Sequence, residues 1–202
     1  MSVDASEGTR KYYESHAHDF REGTRHHDVS QNLDALLSAI EAPPPLRILD
    51  FGCGPGRDLA EFRRRGHIPT GLDGCGAFVA MAREAGDGEV WHQDFLELAL
   101  PASHFHGVFA NAALFHVPSR FLPRVLGELS ASLVPGGVLF CSNPRGVNQE
   151  GWASGRYGCF FDLERWRELF SASGFTELDH YYRPSGLPPD QQPWLAMLWR
   201  RS

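Results

Sequence analysis

Leu46-Arg47-Ile48-Leu49-Asp50-Phe51 is a short apolar run that passes directly into Gly52-Cys53-Gly54-Pro55-Gly56. Asp58 to Arg65 then reads as a helix, stopped by Gly66. The same alternation continues along the chain. A strand at His67 to Leu72 ends in Asp73-Gly74 and precedes a helix at Phe78 to Glu84. A strand at Glu89 to His92 leads into Gln93-Asp94-Phe95, and another at Gly107 to Ala110 ends at Asn111. Pro118 to Leu133 carries Leu122, Val125, Leu126, Leu129 and Leu133 on one helical face. Pro135-Gly136-Gly137 reads as a tight turn before a strand at Val138 to Ser142. A helix at Leu163 to Ser173, with Gly174 as its stop, precedes strands at Phe175 to Tyr182 and Trp194 to Trp199. Strands separated by helices pair in parallel through right-handed crossovers. The expected class is therefore α/β, a doubly wound sheet with helices on both faces.

The chain of 202 residues fits one domain spanning 1–202. Within it, 1–42 is expected to form an N-terminal helical lid, 46–142 the ligand-binding core, and 143–202 a substrate loop with the closing strands. Tyr12, Tyr13, His16 and Phe20 recur at helical steps between Ser6 and Phe20. Ser30 reads as the cap of a second helix, which Pro43-Pro44-Pro45 ends. The charge balance, 19 − 25 = −6, argues against a general nucleic-acid binder, which needs cations against phosphates. Cys53, Cys75, Cys141 and Cys159 form no C-x-x-C pair, and no His/Cys set has zinc-ligand spacing, so no metal is expected. The N-terminus lacks the basic and apolar regions of a secretory signal, and no apolar run approaches the roughly 20 residues that cross a bilayer. A cytoplasmic protein without membrane partners is the expectation.

Glycines at alternate positions between a strand and a helix let a ligand approach the backbone, at the end of the strand where doubly wound sheets bind ligands. Gly52-x-Gly54-x-Gly56 is neither the G-x-G-x-x-G dinucleotide pattern nor a P-loop, because no Gly-Lys-Ser/Thr follows. Asp73 can accept hydrogen bonds from the hydroxyls of a ribose, or form a turn with Gly74. Asp94 can accept from an exocyclic adenine amine while Phe95 covers the ring, or it is an ordinary loop aspartate.

Ile48 to Gly56, Gly71-Leu72-Asp73, Asp94-Phe95, Asn111 to Val117 and Leu133 to Gly137 together resemble the successive motifs of class I S-adenosylmethionine-dependent methyltransferases. Within that class the chain is similar to the small bacterial enzymes grouped with tellurite-resistance and small-metabolite methyltransferases. The resemblance implies a Rossmann-like seven-stranded sheet whose last strand is antiparallel. It implies that Asp50 with Gly52, Cys53, Gly54, Pro55 and Gly56 holds the methionine part of S-adenosylmethionine, Asp73 and Gly74 the ribose, and Asp94 with Phe95 the adenine. Asn111 and Leu114 complete the cofactor set, and S-adenosylhomocysteine is the implied product. Phe51 and Cys53 vary the loop but keep its glycines, while Gly74-Cys75-Gly76 is unusually glycine-rich.

Methyl transfer is an in-line displacement in which an enzyme mainly aligns the nucleophile and excludes water. His116, just past the fourth strand, is the candidate base; a ring that positions its loop or contacts the cofactor without moving a proton is the reading the sequence favours. Tyr13 can cover the cofactor and Arg25 can pair with its carboxylate, or the N-terminal helix is a packing element. The loop from Arg145 to Phe161 supplies Arg145, Trp152, Arg156 and Tyr157 as candidate substrate contacts. Asn143-Pro144-Arg145 is not the Asn-Pro-Pro-aromatic signature of nucleic-acid amino methylation and lies after the wrong strand. A small-molecule acceptor is expected. A nicotinamide-dependent oxidoreductase and a non-catalytic S-adenosylmethionine-binding protein are the alternatives.

Overall fold

The computed structural model describes residues 2–202. Nine strands form, in chain order, β1 Arg47–Phe51, β2 Ile68–Asp73, β3 Glu89–His92, β4 Phe105–Asn111, β5 Leu133–Pro144, β6 Gln149–Ala153, β7 Arg156–Phe160, β8 Phe175–Arg183 and β9 Trp194–Arg201. The helices are α1 Ser2–Thr24, α2 Ser30–Ala39, α3 Arg57–Arg64, α4 Gly76–Ala85, α5 Leu122–Ser132 and α6 Leu163–Ala172. Seven strands make one sheet in the order β3-β2-β1-β4-β5-β9-β8. β9 alone runs antiparallel to its neighbours, β5 and β8. The strand order reverses direction between β1 and β4, which places a ligand crevice outside their carboxyl ends.

Side-chain alternation along the central strands builds a core on each face. Ile48, Phe109, Val138 and Phe140 face Leu33 and Leu36 of α2 and Phe62 of α3. Leu49, Val108, Ala110, Leu139 and Trp199 face α5 and α6 on the other side. Leu33 and Leu36 are fully buried, and each contributes about 1.5–3 kcal/mol by leaving water. Trp166, Phe170 and Trp199 fill the α6 side, with the Phe170 and Trp199 rings stacked at 4.5 Å.

The expected doubly wound sheet with its antiparallel last strand is observed. Local details differ. Ser30 is the first helical residue rather than a cap, and its N–H is instead bound by the Asp28 carboxylate at 2.9 Å. The helix expected from Pro118 starts as a separate short 3-10 turn at Ser119–Phe121. Pro135-Gly136-Gly137 lies inside β5 as an irregularity: β4 advances from Phe105 to Gly107 while β5 advances from Leu133 to Val138.

The largest correction concerns the segment expected to be a loop between Arg145 and Phe161. Its middle is an antiparallel hairpin of β6 and β7. Ser154 and Gly155 turn it with φ of 49° and 79°, the left-handed pair that suits the twist of a two-residue hairpin. The hairpin lies on α1. The Tyr157 N–H donates to Thr9 Oγ1 at 2.9 Å, and the Trp152 ring covers Gly8 so closely that a Cβ there would come within 2.4 Å of it. Ser119 ties the other side down, donating its N–H and its hydroxyl to Glu150 at 2.9 Å each. Helix α1 and the hairpin thus form a cap over the carboxyl ends of the sheet. No described helix is long and apolar enough to cross a membrane.

Candidate active site

Beneath this cap is a cavity of about 940 Å³. Its floor is formed by the segments leaving β1, β2, β3 and β4, and α1 and Arg156 form its roof. The size suits a cofactor with a small partner molecule.

The glycine loop shapes the floor. Gly52 has φ of +81°, and a Cβ on it would stand 2.6 Å from the Ala113 Cβ and 3.3 Å from the Phe95 ring. Only glycine fits there, and its bare backbone borders the cavity. Asp73 links this loop to the turn after β2. Oδ2 accepts the Gly54 N–H at 2.9 Å and Oδ1 the Cys75 N–H at 2.8 Å. Each oxygen keeps a lone pair for a further donor. Burial pushes its carboxyl up to about 6, against the lowering pull of those N–H groups. Asp50 lies behind the loop. Burial, with Asp58 nearby, holds its carboxyl well above the usual range, and Oδ2 has no hydrogen-bond partner among the described residues.

Helix α1 is pinned over the opposite end. Arg10 pairs with Asp94 at 3.0 Å, and Ser6 donates to the same carboxylate at 3.3 Å. Phe95 stacks on Phe51 at 4.2 Å and presents its edge to the cavity. Glu14 accepts the first N–H groups of α4, that of Ala77 at 3.1 Å and that of Gly76.

A polar chain crosses the roof. The Tyr157 carbonyl can only accept, so His116 Nδ1 is the donor in their 2.7 Å bond. His116 Nε2 therefore holds a lone pair, and Tyr13 Oη donates to it at 2.9 Å. Arg156 Nη1 donates to the same Tyr13 oxygen at 3.3 Å. Burial lowers the imidazole to about 4 and the Arg156 charge adds to this, opposed by the Tyr157 bond. His116 is therefore neutral at pH 7.

Residues 20–180 match a family described as a methyltransferase domain. The chain belongs to that family. Among curated relatives, the trans-aconitate 2-methyltransferase of Azoarcus sp. is 31% identical over 116 residues, covering 56% of this chain and 45% of that protein. The malonyl-[acyl-carrier protein] O-methyltransferase of Pectobacterium atrosepticum is 35% identical over 107 residues, covering 52% and 42%. The chain thus spans less than half the length of these relatives. The crystal structure of Burkholderia thailandensis 1,6-didemethyltoxoflavin-N1-methyltransferase, with its ligand and S-adenosylhomocysteine bound, superimposes with a TM-score of 0.80. That match covers 100% of this chain and 91% of the other at 24% identity, so it speaks for the fold.

Against the family expectations, the structure brings Tyr13, Gly52, Cys53, Gly54, Pro55, Asp73, Gly74, Asp94, Phe95, Asn111, His116 and Arg156 to one cavity. Several expected residues lie elsewhere. Arg25 pairs with Glu22 at 2.9 Å outside the cavity; Arg57 lines it instead, held by Asp58 at 2.7 Å and donating to the Thr24 carbonyl at 3.0 Å. Leu114 is fully buried in the core, and its neighbours Phe115 and His116 form the wall. Gly56 starts α3 in a left-handed conformation against Ala82, away from the cavity. Asp50 is shielded by the loop it supports. Arg145 stacks over the Tyr182 ring at 4.4 Å, and Trp152 is spent on Gly8, half exposed. Tyr157 reaches the site only through its backbone carbonyl.

Sequence reasoning missed Ser6 and Arg10, although Ser6, Arg10, Tyr13 and Phe20 follow one helical face. It also missed the chain in which Tyr181 donates to Asn32 at 2.9 Å and Asn32 to Asn111 at 3.0 Å. That chain joins positions 149 and 79 residues apart, a separation that leaves no local pattern.

Proposed function

We propose that the chain is an S-adenosylmethionine-dependent methyltransferase acting on a small-molecule acceptor. What carries this reading is one arrangement: the Gly52 backbone, Asp73 and Asp94 open onto a single cavity at the strand-order reversal, within a chain of the methyltransferase-domain family. The donor set suits the cofactor chemically. Gly52 and Gly54 offer close backbone approach, Asp73 keeps lone pairs for ribose hydroxyls, and Phe95 offers a ring edge for a base. The unpartnered Asp50 oxygen leaves an acceptor behind the loop for a further donor. Asp94 keeps lone pairs beside its Arg10 and Ser6 partners for the adenine amine.

When bound, S-adenosylmethionine supplies an electrophilic methyl and a good leaving group. The protein's share is alignment and exclusion of water. Phe115, Trp194 and the cap exclude solvent, while Tyr13 and His116 fix the roof. Residues 46–142 hold the cofactor in this reading, and 1–42 with 143–202 form the cap and acceptor side. The relatives acting on trans-aconitate, malonyl-[acyl-carrier protein] and didemethyltoxoflavin support a small metabolite as acceptor. The cytoplasm is the proposed location; there the four buried thiols stay reduced.

The test is release of S-adenosylhomocysteine from S-adenosylmethionine when pooled small metabolites are added. Acceptor-dependent release is expected. Saturable cofactor binding with no release across pools of acids, phenols, amines and thiols would leave a binding protein, not an enzyme.

A further inference from the structure

Four arginines line the cavity, and they are not equivalent. Arg10 is neutralised by Asp94 at 3.0 Å and Arg57 by Asp58 at 2.7 Å. Arg183 donates to the Asp28 carbonyl at 3.2 Å, and its charge favours the Asp28 carboxylate. Arg156, like Arg183, has no carboxylate within ion-pair distance among the described residues, and unlike Arg183 it donates to no backbone carbonyl. Its polar contact is the Tyr13 hydroxyl at 3.3 Å, long for a charge-assisted bond, and its plane lies 5.4 and 5.7 Å from the Tyr12 and Tyr13 ring centres. Its Nε is buried without a hydrogen-bond partner. A guanidinium held by two aromatic rings, with donors to spare and facing a cavity, is built to receive an anion.

The same wall offers no free base. Both His116 nitrogens are engaged, Nδ1 by the Tyr157 carbonyl and Nε2 by the Tyr13 hydroxyl. Asp58 is held by Arg57, and in the reading above Asp73 and Asp94 are turned to the ribose and the adenine. An acceptor held at Arg156 that must lose a proton to react finds no base on that wall; His26 and His27 line the cavity from the segment after α1. An acceptor already ionised at neutral pH needs nothing.

We infer that the methyl acceptor is a small carboxylate, held by Arg156 through one oxygen with the other left to react. The inference rests on the methyltransferase reading above. A bond forms between the carboxylate oxygen and the methyl carbon while the sulfur–methyl bond breaks, its electron pair staying on sulfur. The carboxylate and sulfonium charges cancel, the products are a methyl ester and a thioether, and no proton moves.

The test titrates the protein loaded with S-adenosylhomocysteine with di- and tricarboxylates and aryl carboxylates, each against its carboxamide. Turnover of the binders is then followed in the wild type, Arg156→Gln and Arg156→Lys. Carboxylates should saturate the site and carboxamides should not. Arg156→Gln should raise KM about 10- to 100-fold with a smaller change in kcat, and Arg156→Lys should recover part of it. Affinity for S-adenosylhomocysteine should stay within about twofold in both variants, and kcat/KM should be flat above about pH 7. Equal binding of carboxamides, no binding of any carboxylate, or methylation of phenols or amines in their place would overturn the inference. So would Arg156→Gln weakening S-adenosylhomocysteine rather than the acceptor, which would assign the arginine to the cofactor. A wild type that does not bind S-adenosylhomocysteine at all would instead defeat the underlying methyltransferase reading.

Discussion

The ring of His116 makes the stability of this fold depend on acid in a specific way. In the folded chain its value is about 4, against 6.5 for a free imidazole. The unfolded chain therefore binds the proton that the folded chain refuses. The stabilisation is complete above the unfolded value and is lost as pH falls from about 6.5 through about 4. At about pH 5 the linkage relation gives a loss of roughly 2 kcal/mol relative to about pH 7.5. The ring's edge meets the cavity, where water reaches it, so the expected loss is about 1–2 kcal/mol. Asp73 works in the opposite direction, because its raised carboxyl value favours the folded chain at low pH and costs stability as pH rises through about 6. The clean comparison is therefore wild type against His116→Asn, which retains a donor for the Tyr157 carbonyl and removes the titration. Urea unfolding of both at about pH 7.5 and about pH 5 should show the wild type losing about 1–2 kcal/mol more than the variant. Equal losses would mean that the imidazole ionises as freely in the folded chain as in the unfolded one, and the neutral, Tyr13-bound ring would be wrong.

Three further outcomes follow from the same geometry. Asp73→Asn should weaken S-adenosylhomocysteine about 10- to 100-fold by calorimetry, since it removes a charged acceptor held by the Gly54 and Cys75 N–H groups; an unchanged affinity would remove the ribose assignment. Gly52→Ala should lower thermal stability by about 1–3 kcal/mol and abolish measurable cofactor binding, because its Cβ meets Ala113 at 2.6 Å from a backbone at φ +81°; normal affinity would show that the loop has room. Glu14→Ala should speed hydrogen exchange across α1 with loss of about 0.5–2 kcal/mol, because it uncaps the α4 N-terminus; unchanged exchange in α1 would show that Glu14 does not hold the cap.

The sheet was legible because its information is local. Apolar runs of β1 to β5, each ending in glycine or a small polar residue, declare parallel strands within a few residues of one another. The floor of the site was legible for the same reason, since Asp73 and Asn111 end strands and Gly52 and Asp94 follow them within two residues. The cap was not. Gln149-Glu150-Gly151-Trp152-Ala153 has no clean alternation, so β6 reads as loop, although Ser154-Gly155 is a fair turn signal. Arg25 and Arg57 differ in sequence by nothing that reveals which reaches the cavity; the Asp58 carboxylate and the Thr24 carbonyl decide it in three dimensions. Leu114 and Phe115 are adjacent and apolar, and only the short 3-10 turn at Leu114–His116 determines which of them faces inward. Asn111 lies where expected, but its partner Asn32 comes from α2 and could not be read from the strand.

The central claim is that the cavity beneath α1 receives S-adenosylmethionine. Calorimetric titration of the purified chain with S-adenosylhomocysteine, repeated with S-adenosylmethionine and with a nicotinamide dinucleotide, tests it most directly. The account predicts one site per chain for both adenosyl ligands, with dissociation constants in the range of about 1–100 μM, and no saturation by the dinucleotide. Saturation by the dinucleotide, with no heat from either adenosyl ligand, would contradict it.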